Sequence, residues 1–251
     1  MTNNFTQHGI AHLSASSINM FADAADAWVS KYLLGAKFPF SPAAQAGVLA
    51  EEAIVNVLAR GWNEEDAIEN AKGEFIKANI FNLNEKVQKR ADMIPPIVEM
   101  AVKELAQYGD PEFEEDGTQK KILVNADMGA YKMPIIGFLD LYYPQHGLVI
   151  DIKTTARMPS EMSDSHKRQQ AIYKMSNANY DVRFFYLTGT KSQMFQCDDD
   201  WMDTLKSTKI IIGRMNALLS LPIETIKAVV PVHQSFYWID AIDIRKELYG
   251  Y

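Results

Sequence analysis

In the stretch GFLDLYYPQHGLVIDIKTT, residues 137 to 155, Asp140 and Asp151 sit inside runs of β-branched and aromatic residues, and Lys153 follows Asp151 by two positions. The composition predicts strands for GFLDLYY and LVIDIK. Alternation along the second strand puts Asp151 and Lys153 on one face and Ile152 on the other. The connection PQHG is short enough for an antiparallel hairpin, which lets Asp140 and Asp151 approach each other across the pair. Two carboxylates held together repel, and each loses hydration. A hard divalent cation relieves both costs, and Mg²⁺ suits because it takes oxygen ligands and retains water. Lys153 beside such a cation could orient an attacking water or stabilise charge developing in the transition state. The alternative is an ordinary ion pair on a solvated sheet face, since a three-residue pattern recurs by accident.

These residues need a scaffold, and the sequence outlines one. Residues 14 to 35 predict a helix opened by Ser14, Ser16 or Ser17, with Ile18, Phe21, Ala25, Trp28 and Tyr32 along one stripe and Gly35 at its end. Further helices are expected over 43–60, 64–80 and 85–108, the last disturbed by Pro95 and Pro96. Strand composition then takes over in QKKILVNAD, YKMPIIGFLDLYY, GLVIDIKTT, DVRFFYLTG and SQMFQC. Helices are expected at 160–179 and 199–219, and TIKAVVPV reads as a last strand. The fold class is α/β, a central mixed sheet flanked by helices with an N-terminal helical portion.

Taken together, GFLDLYY and LVIDIKTT resemble the nuclease core of the PD-(D/E)xK superfamily, in particular its RecB-like exonuclease branch. LSASSINMF with KYLLG resembles the opening helix of that branch, AGVLAEEAI the segment supplying the first metal ligand, and QQAIYK the Gln-x-x-x-Tyr helix. The resemblance spans roughly 13 to 190, with no family motif in 62–130. It implies a restriction-endonuclease-like sheet in one domain, 1–251, divided into a mainly helical part at 1–110, a catalytic sheet core at 111–198 and a C-terminal helix and tail at 199–251. It makes Asp140 and Asp151 metal ligands, joined by the backbone carbonyl of Ile152, and Lys153 the catalytic lysine. Where the branch often has His, this chain has Glu51, four residues after Gly47; its neighbour Glu52 is the alternative ligand, about 100° around the helix. Gln169 and Tyr173 match the helix motif and share a helix face. Thr154, Arg157, Lys167, Arg168 and Lys174 are further candidates for contacting substrate phosphates. The implied cofactor is Mg²⁺, with Mn²⁺ acceptable. A single cysteine, Cys197, excludes the four-cysteine iron–sulfur cluster of some relatives.

Composition sets limits. A net charge of −7 speaks against a broad phosphate-binding surface, though basic residues can be confined to one groove. No run of about 18 apolar residues suggests a membrane span, no secretory leader is evident, and one cysteine fits a reducing cytoplasm, of a bacterium or a phage-infected host. The histidines at 8, 12, 146, 166 and 233 show no ligand spacing. EFEED reads as a surface loop, and the aromatics of SFYWID as packing residues or a base-stacking surface. The expectation is a Mg²⁺-dependent exonuclease acting on single- or double-stranded DNA ends in recombination, repair or phage DNA processing. A homo-oligomer, or a recombination or replication partner protein, is compatible with it. The alternatives are a non-catalytic DNA-binding module on the same fold, or an endonuclease of the same superfamily.

Overall fold

The structure is a computed structural model, and the residues described are 3–82, 84–115, 117, 119–124, 133–232 and 234–250. His233, Asp116 and the expected strand positions 125–127 and 131–132 lie outside them. The elements run in the order α1 (Asn4–Gln7), α2 (Ala15–Asp23), α3 (Ala25–Tyr32), α4 (Pro42–Arg60), α5 (Glu64–Ala78), α6 (Glu85–Leu105), β1 (Lys120–Val124), β2 (Ile135–Leu139), β3 (Leu141–Tyr143), β4 (Leu148–Thr154), α7 (Asp164–Ser176), β5 (Asp181–Leu187), β6 (Ser192–Gln196), α8 (Trp201–Leu218), α9 (Ile223–Val229) and α10 (Ile242–Tyr249).

A mixed four-stranded sheet has the order β3-β4-β5-β6, with β4 and β5 parallel and the outer pairs antiparallel. The ribbon β1–β2 is antiparallel and pairs separately. The expected hairpin exists: Leu141 pairs with Ile150 and Tyr143 with Leu148. The chain bends at Asp140, between β2 and β3, where it leaves β1 and turns to pair with β4.

Two apolar cores lie on opposite faces of the sheet. Val149, Val182, Phe184 and Tyr186 face α2, α7 and α8. Leu148, Ile150, Ile152, Phe185 and Leu187 face α4, α5 and α6. Alternation along β4 therefore puts Asp151 and Lys153 on the α7 side and Ile152 on the α4 side, as a strand with period two requires.

The helices begin and end where the sequence punctuates them. Ser14 caps α2 by accepting from Ser17 N at 3.1 Å. Ser41 and Pro42 open α4, and Gly61 closes it in the left-handed region at φ 66°. Two expectations need correction. The helix expected over 14–35 is two helices that meet at Ala24, whose φ/ψ of −156°/79° is not helical. In a straight helix eleven residues span about 16 Å, yet the Trp28 indole donates to Ser17 Oγ at 3.0 Å. The break folds α3 back so that this buried contact forms. The segment TIKAVVPV is not a strand: α9 runs through it, starting after Pro222 and burying Ile226. Its β-branched residues gave a strand signal that three-dimensional packing overrides. Pro95 and Pro96 lie inside α6, which continues to Leu105 because its buried stripe, Ala91, Ile94, Ile97, Val98, Ala101 and Leu105, docks on α4 and α5. Among the described residues no helix is long and apolar enough to cross a membrane.

Candidate active site

The site is assembled at the bend between β2 and β3. Continuing the β3–β4 register by one step sets Asp140 opposite Asp151. Asp140 Oδ2 accepts from the backbone N–H of Ile152 at 2.8 Å, which fixes it against β4. Continuing the β1–β2 register by one step sets Gln119 opposite Asp140. The Gln119 amide donates to Asp140 Oδ1 at 3.1 Å and to Glu51 Oε1, on α4, at 2.7 Å. From the other face, Gln169 on α7 donates to Asp151 Oδ2 at 2.8 Å and to Tyr173 Oη at 2.8 Å. Tyr173 in turn donates to the carbonyl of Phe138 at 2.8 Å. One network thus joins α4, β1, β2, β4 and α7.

Asp151 is 1% exposed and Asp140 8%. The Lys153 ammonium pairs with Asp151 Oδ1, an atom with no other partner among the described residues. The same ammonium lies 5.1 Å from the centroid of the Phe184 ring. Burial, then the neighbouring Asp151 and Glu51, raise the Asp140 pKa well above the usual carboxylate range. Burial also raises Asp151, against the opposing pull of Lys153. Burial followed by Asp151 pushes Glu51 up to about 7. For Lys153 burial opposes the charged form, but Asp151, Asp140 and Glu51 outweigh it and hold the ammonium above its ordinary value. Three carboxyl groups therefore share one ammonium, and burial and mutual proximity favour protons on them over full ionisation.

Among the described residues, no three Asp, Glu, His or Cys side chains converge as a ready-made metal cage. The donors still fit a hard cation. They are oxygens only, two are buried, and Asp151 Oδ1 has no partner among the described residues other than the Lys153 ammonium. Gln119 bridges Glu51 and Asp140, and Asp140, Asp151 and Glu51 are the carboxyl groups that would hold such an ion, with water completing its shell.

A comparison with solved structures finds a likeness over nearly the whole chain. A crystal structure of an Eubacterium rectale protein described as a "putative exonuclease" matches with TM-score 0.56 and 14% identity, covering 97% of this chain and 97% of that one. The two share a fold. At that identity the likeness concerns the α/β architecture and not the site residues. No protein-family model matches the chain, and no curated protein matches its sequence.

The structure gathers Glu51, Asp140, Asp151, Lys153, Gln169 and Tyr173 into one place. Glu51 points into the network while Glu52 is exposed, which separates the two glutamates. Thr154 lies against α4, where a Cβ added at Gly47 would meet its Oγ1 at 2.8 Å. Three cations expected near the substrate are engaged elsewhere. Lys167 pairs with Asp198 at 3.4 Å, Arg168 donates to Asn19 at 2.7 Å and pairs with Asp23, and Lys174 donates to the Tyr180 carbonyl. Arg157 is exposed, its carbonyl accepting from Thr155. Cys197 falls just past β6, half-buried, and burial pushes its thiol up to about 11, which leaves it unsuited as a nucleophile. Trp238 of SFYWID is buried, its indole donating to Asp26 at 2.8 Å, whereas Phe236 is exposed.

Gln119 and the group around Lys153 escaped the sequence reading. Beside Phe184 and Tyr186, which follow Asp151 and Lys153 in the β4–β5 register, His166 bonds to Tyr186. Burial and the charge of Lys153 lower His166 to about 4. The register of β5 was the signal for the aromatic pair. Gln119 carried none, because its role depends on a pairing between distant strands.

Proposed function

We propose that this protein is a Mg²⁺-dependent deoxyribonuclease that hydrolyses phosphodiester bonds from DNA ends. One observation carries the reading: a buried carboxylate pair, Asp140 and Asp151, beside the Lys153 ammonium and held from both sides by Gln119 and Gln169. The shared fold with an exonuclease-described protein supports the reaction class by analogy.

Asp140, Asp151 and Glu51 would hold Mg²⁺, with the Ile152 carbonyl as a backbone candidate. Bound there, the ion supplies positive charge against a phosphate and lowers the pKa of water. The protein's own groups do the rest. Gln169 fixes the orientation of Asp151, and Ile152 N–H fixes that of Asp140. Lys153 is the local cation able to position an attacking water and to stabilise charge building on the phosphoryl oxygens. Phe184 walls its ammonium from one side. The products would be a 3′-hydroxyl and a 5′-phosphate, and Mn²⁺ should substitute.

End-labelled linear DNA, single- and double-stranded, incubated with Mg²⁺ or EDTA, tests this. Degradation should require the metal and fall by at least about 10²-fold in both Asp151→Asn and Lys153→Ala, the scale of losing a group that acts in the transition state. Intact DNA with folded protein would instead favour a non-catalytic binding module. Cutting of circular single-stranded DNA would make the enzyme an endonuclease.

A further inference from the structure

The ribbon β1–β2 has an apolar face where alternation calls for a polar one. Ile122, Val124, Ile135 and Leu139 fill the core side. Lys121 pairs with Phe138 and Leu123 with Ile136, so those four share the outward face. Phe138 is 50% exposed and Leu123 54%. No aromatic ring among the described residues packs on Phe138.

Phe138 lines a cleft of about 400 Å³ together with Asp140, Gln169 and Tyr173, and on another side a groove with Glu112, Glu114, Glu115, Lys120 and Lys121. Its mounting belongs to the site, since Tyr173 grips the Phe138 carbonyl while Gln169 ties Tyr173 to Asp151. The neighbouring Gly137 lets the ribbon come this close: a Cβ there would meet the Tyr173 ring at 2.9 Å. His12, Ser14 and Ser16 also line the cleft, with Ile136 and Ile172. The first three are brought there because Leu13 bridges to the start of β2, through Leu13 N to Pro134 O at 2.9 Å and Ile136 N to Leu13 O at 2.9 Å. Neither Lys nor Arg lines the cleft.

We infer that Phe138 is a stacking platform for an unpaired nucleobase of the strand being cut, adjoining the reactive phosphate. This rests on the nuclease reading and specifies its substrate as a single strand, or a frayed end, at the cleft. An exposed aromatic ring beside a cleft lined by both polar and apolar groups suits a base. A cleft volume of about 400 Å³ is at the small end of the ligand-site range of about 300–1,000 Å³. It has room for about one nucleotide. In an acidic chain, stacking also supplies affinity that the cleft does not obtain from cationic side chains.

The test uses the full chain, Ca²⁺ in place of Mg²⁺, and a single-stranded oligonucleotide with 2-aminopurine at its terminal position. The wild type should quench the probe. Phe138→Ala and Phe138→Leu should lose the quenching and raise Kd about tenfold, the scale of one base–aromatic stack, with an unchanged salt slope. Phe138→Trp should restore both. With Mg²⁺, the Ala variant should raise KM and leave kcat within about twofold. Equal quenching and Kd in Phe138→Ala overturn the inference, as does wild-type behaviour of Phe138→Leu, which would mean apolar contact without stacking. Loss of a concentration-dependent dimer in Phe138→Ala, with DNA binding intact, would assign the face to a second copy and overturn it too. A wild type that cuts DNA while Phe138 proves neutral sinks this inference alone. A wild type that neither binds nor cuts any oligonucleotide sinks the nuclease reading with it.

Discussion

At the residue scale the site is a problem of charge. Asp140 and Asp151 are buried beside each other, with Glu51 a further carboxylate joined through Gln119. Such groups hold protons in the folded state that the unfolded chain gives up. Glu51 is the group with a defined position, raised from 4.5 to about 7 by burial and then by Asp151. The sign is therefore opposite to that of a salt-bridged carboxylate. The stabilising proton is present below the unfolded value of 4.5 and is lost as pH rises through about 7. Metal-free protein should melt at a lower temperature near pH 8 than near pH 5.5, about the two sides of that transition. Glu51→Gln keeps an acceptor for the Gln119 amide but removes the titration, so its melting temperature should depend less on pH over the same interval. Scanning calorimetry in EDTA at several pH values checks this, and an equal slope in both proteins would refute it. The sequence made Asp140, Asp151 and Lys153 legible because a charged residue inside an apolar strand is conspicuous. It favoured Glu51 over Glu52 only by its spacing from Gly47, since deciding between them needs to know what α4 packs against.

At the scale of elements, the site depends on how closely three of them approach. Gly137 allows β2 to lie against Tyr173, and Gly47 allows α4 to lie against Thr154. The strands, the hairpin and most helix limits were readable, because capping residues and two-residue alternation are local signals. The break at Ala24 and the helix α9 were not. Both are decided by partners distant in sequence, the indole of Trp28 on Ser17 in the first and burial of Ile226 in the second. Gly137→Ala tests the element scale. The new Cβ would lie 2.9 Å from Tyr173 Cε1 and 3.1 Å from two carbons of Ile122, so the ring or the ribbon must shift. Overpacking of this kind costs about 1–3 kcal/mol. Activity should fall by more than the folded fraction does, because displaced Tyr173 no longer supports Gln169 against Asp151. Urea unfolding and DNA degradation measured on the same sample distinguish the two effects. Unchanged activity in a destabilised variant would show that the close approach serves packing only.

At the scale of the whole molecule, the sheet separates two apolar cores, and the site is where their helices meet. Glu51 comes from α4, which belongs to the α4–α6 core, while Gln169 and Tyr173 come from α7 on the opposite face. Between them stand Asp140 at the bend and Asp151 and Lys153 on β4. Ionising these carboxyl groups together at the seam is costly without a cation. A cation bound there draws them together, so metal binding should stabilise the entire fold and not one loop. At a free Mg²⁺ concentration of 100 times Kd the linkage is worth about 2.7 kcal/mol. For a chain of this size that corresponds to a rise in Tm of roughly 5–10 °C. Amide exchange should slow in both α4 and α7. In Asp140→Asn the metal-free protein should already melt higher than the wild type near pH 8, because a buried carboxyl whose ionisation is penalised in the fold is gone while an oxygen remains for Ile152 N–H. The same variant should gain little from Mg²⁺. A wild type whose Tm and exchange ignore Mg²⁺ and Mn²⁺ would mean that the three carboxylates are balanced by Lys153 and protons alone, and the seam would then be a structural ion cluster.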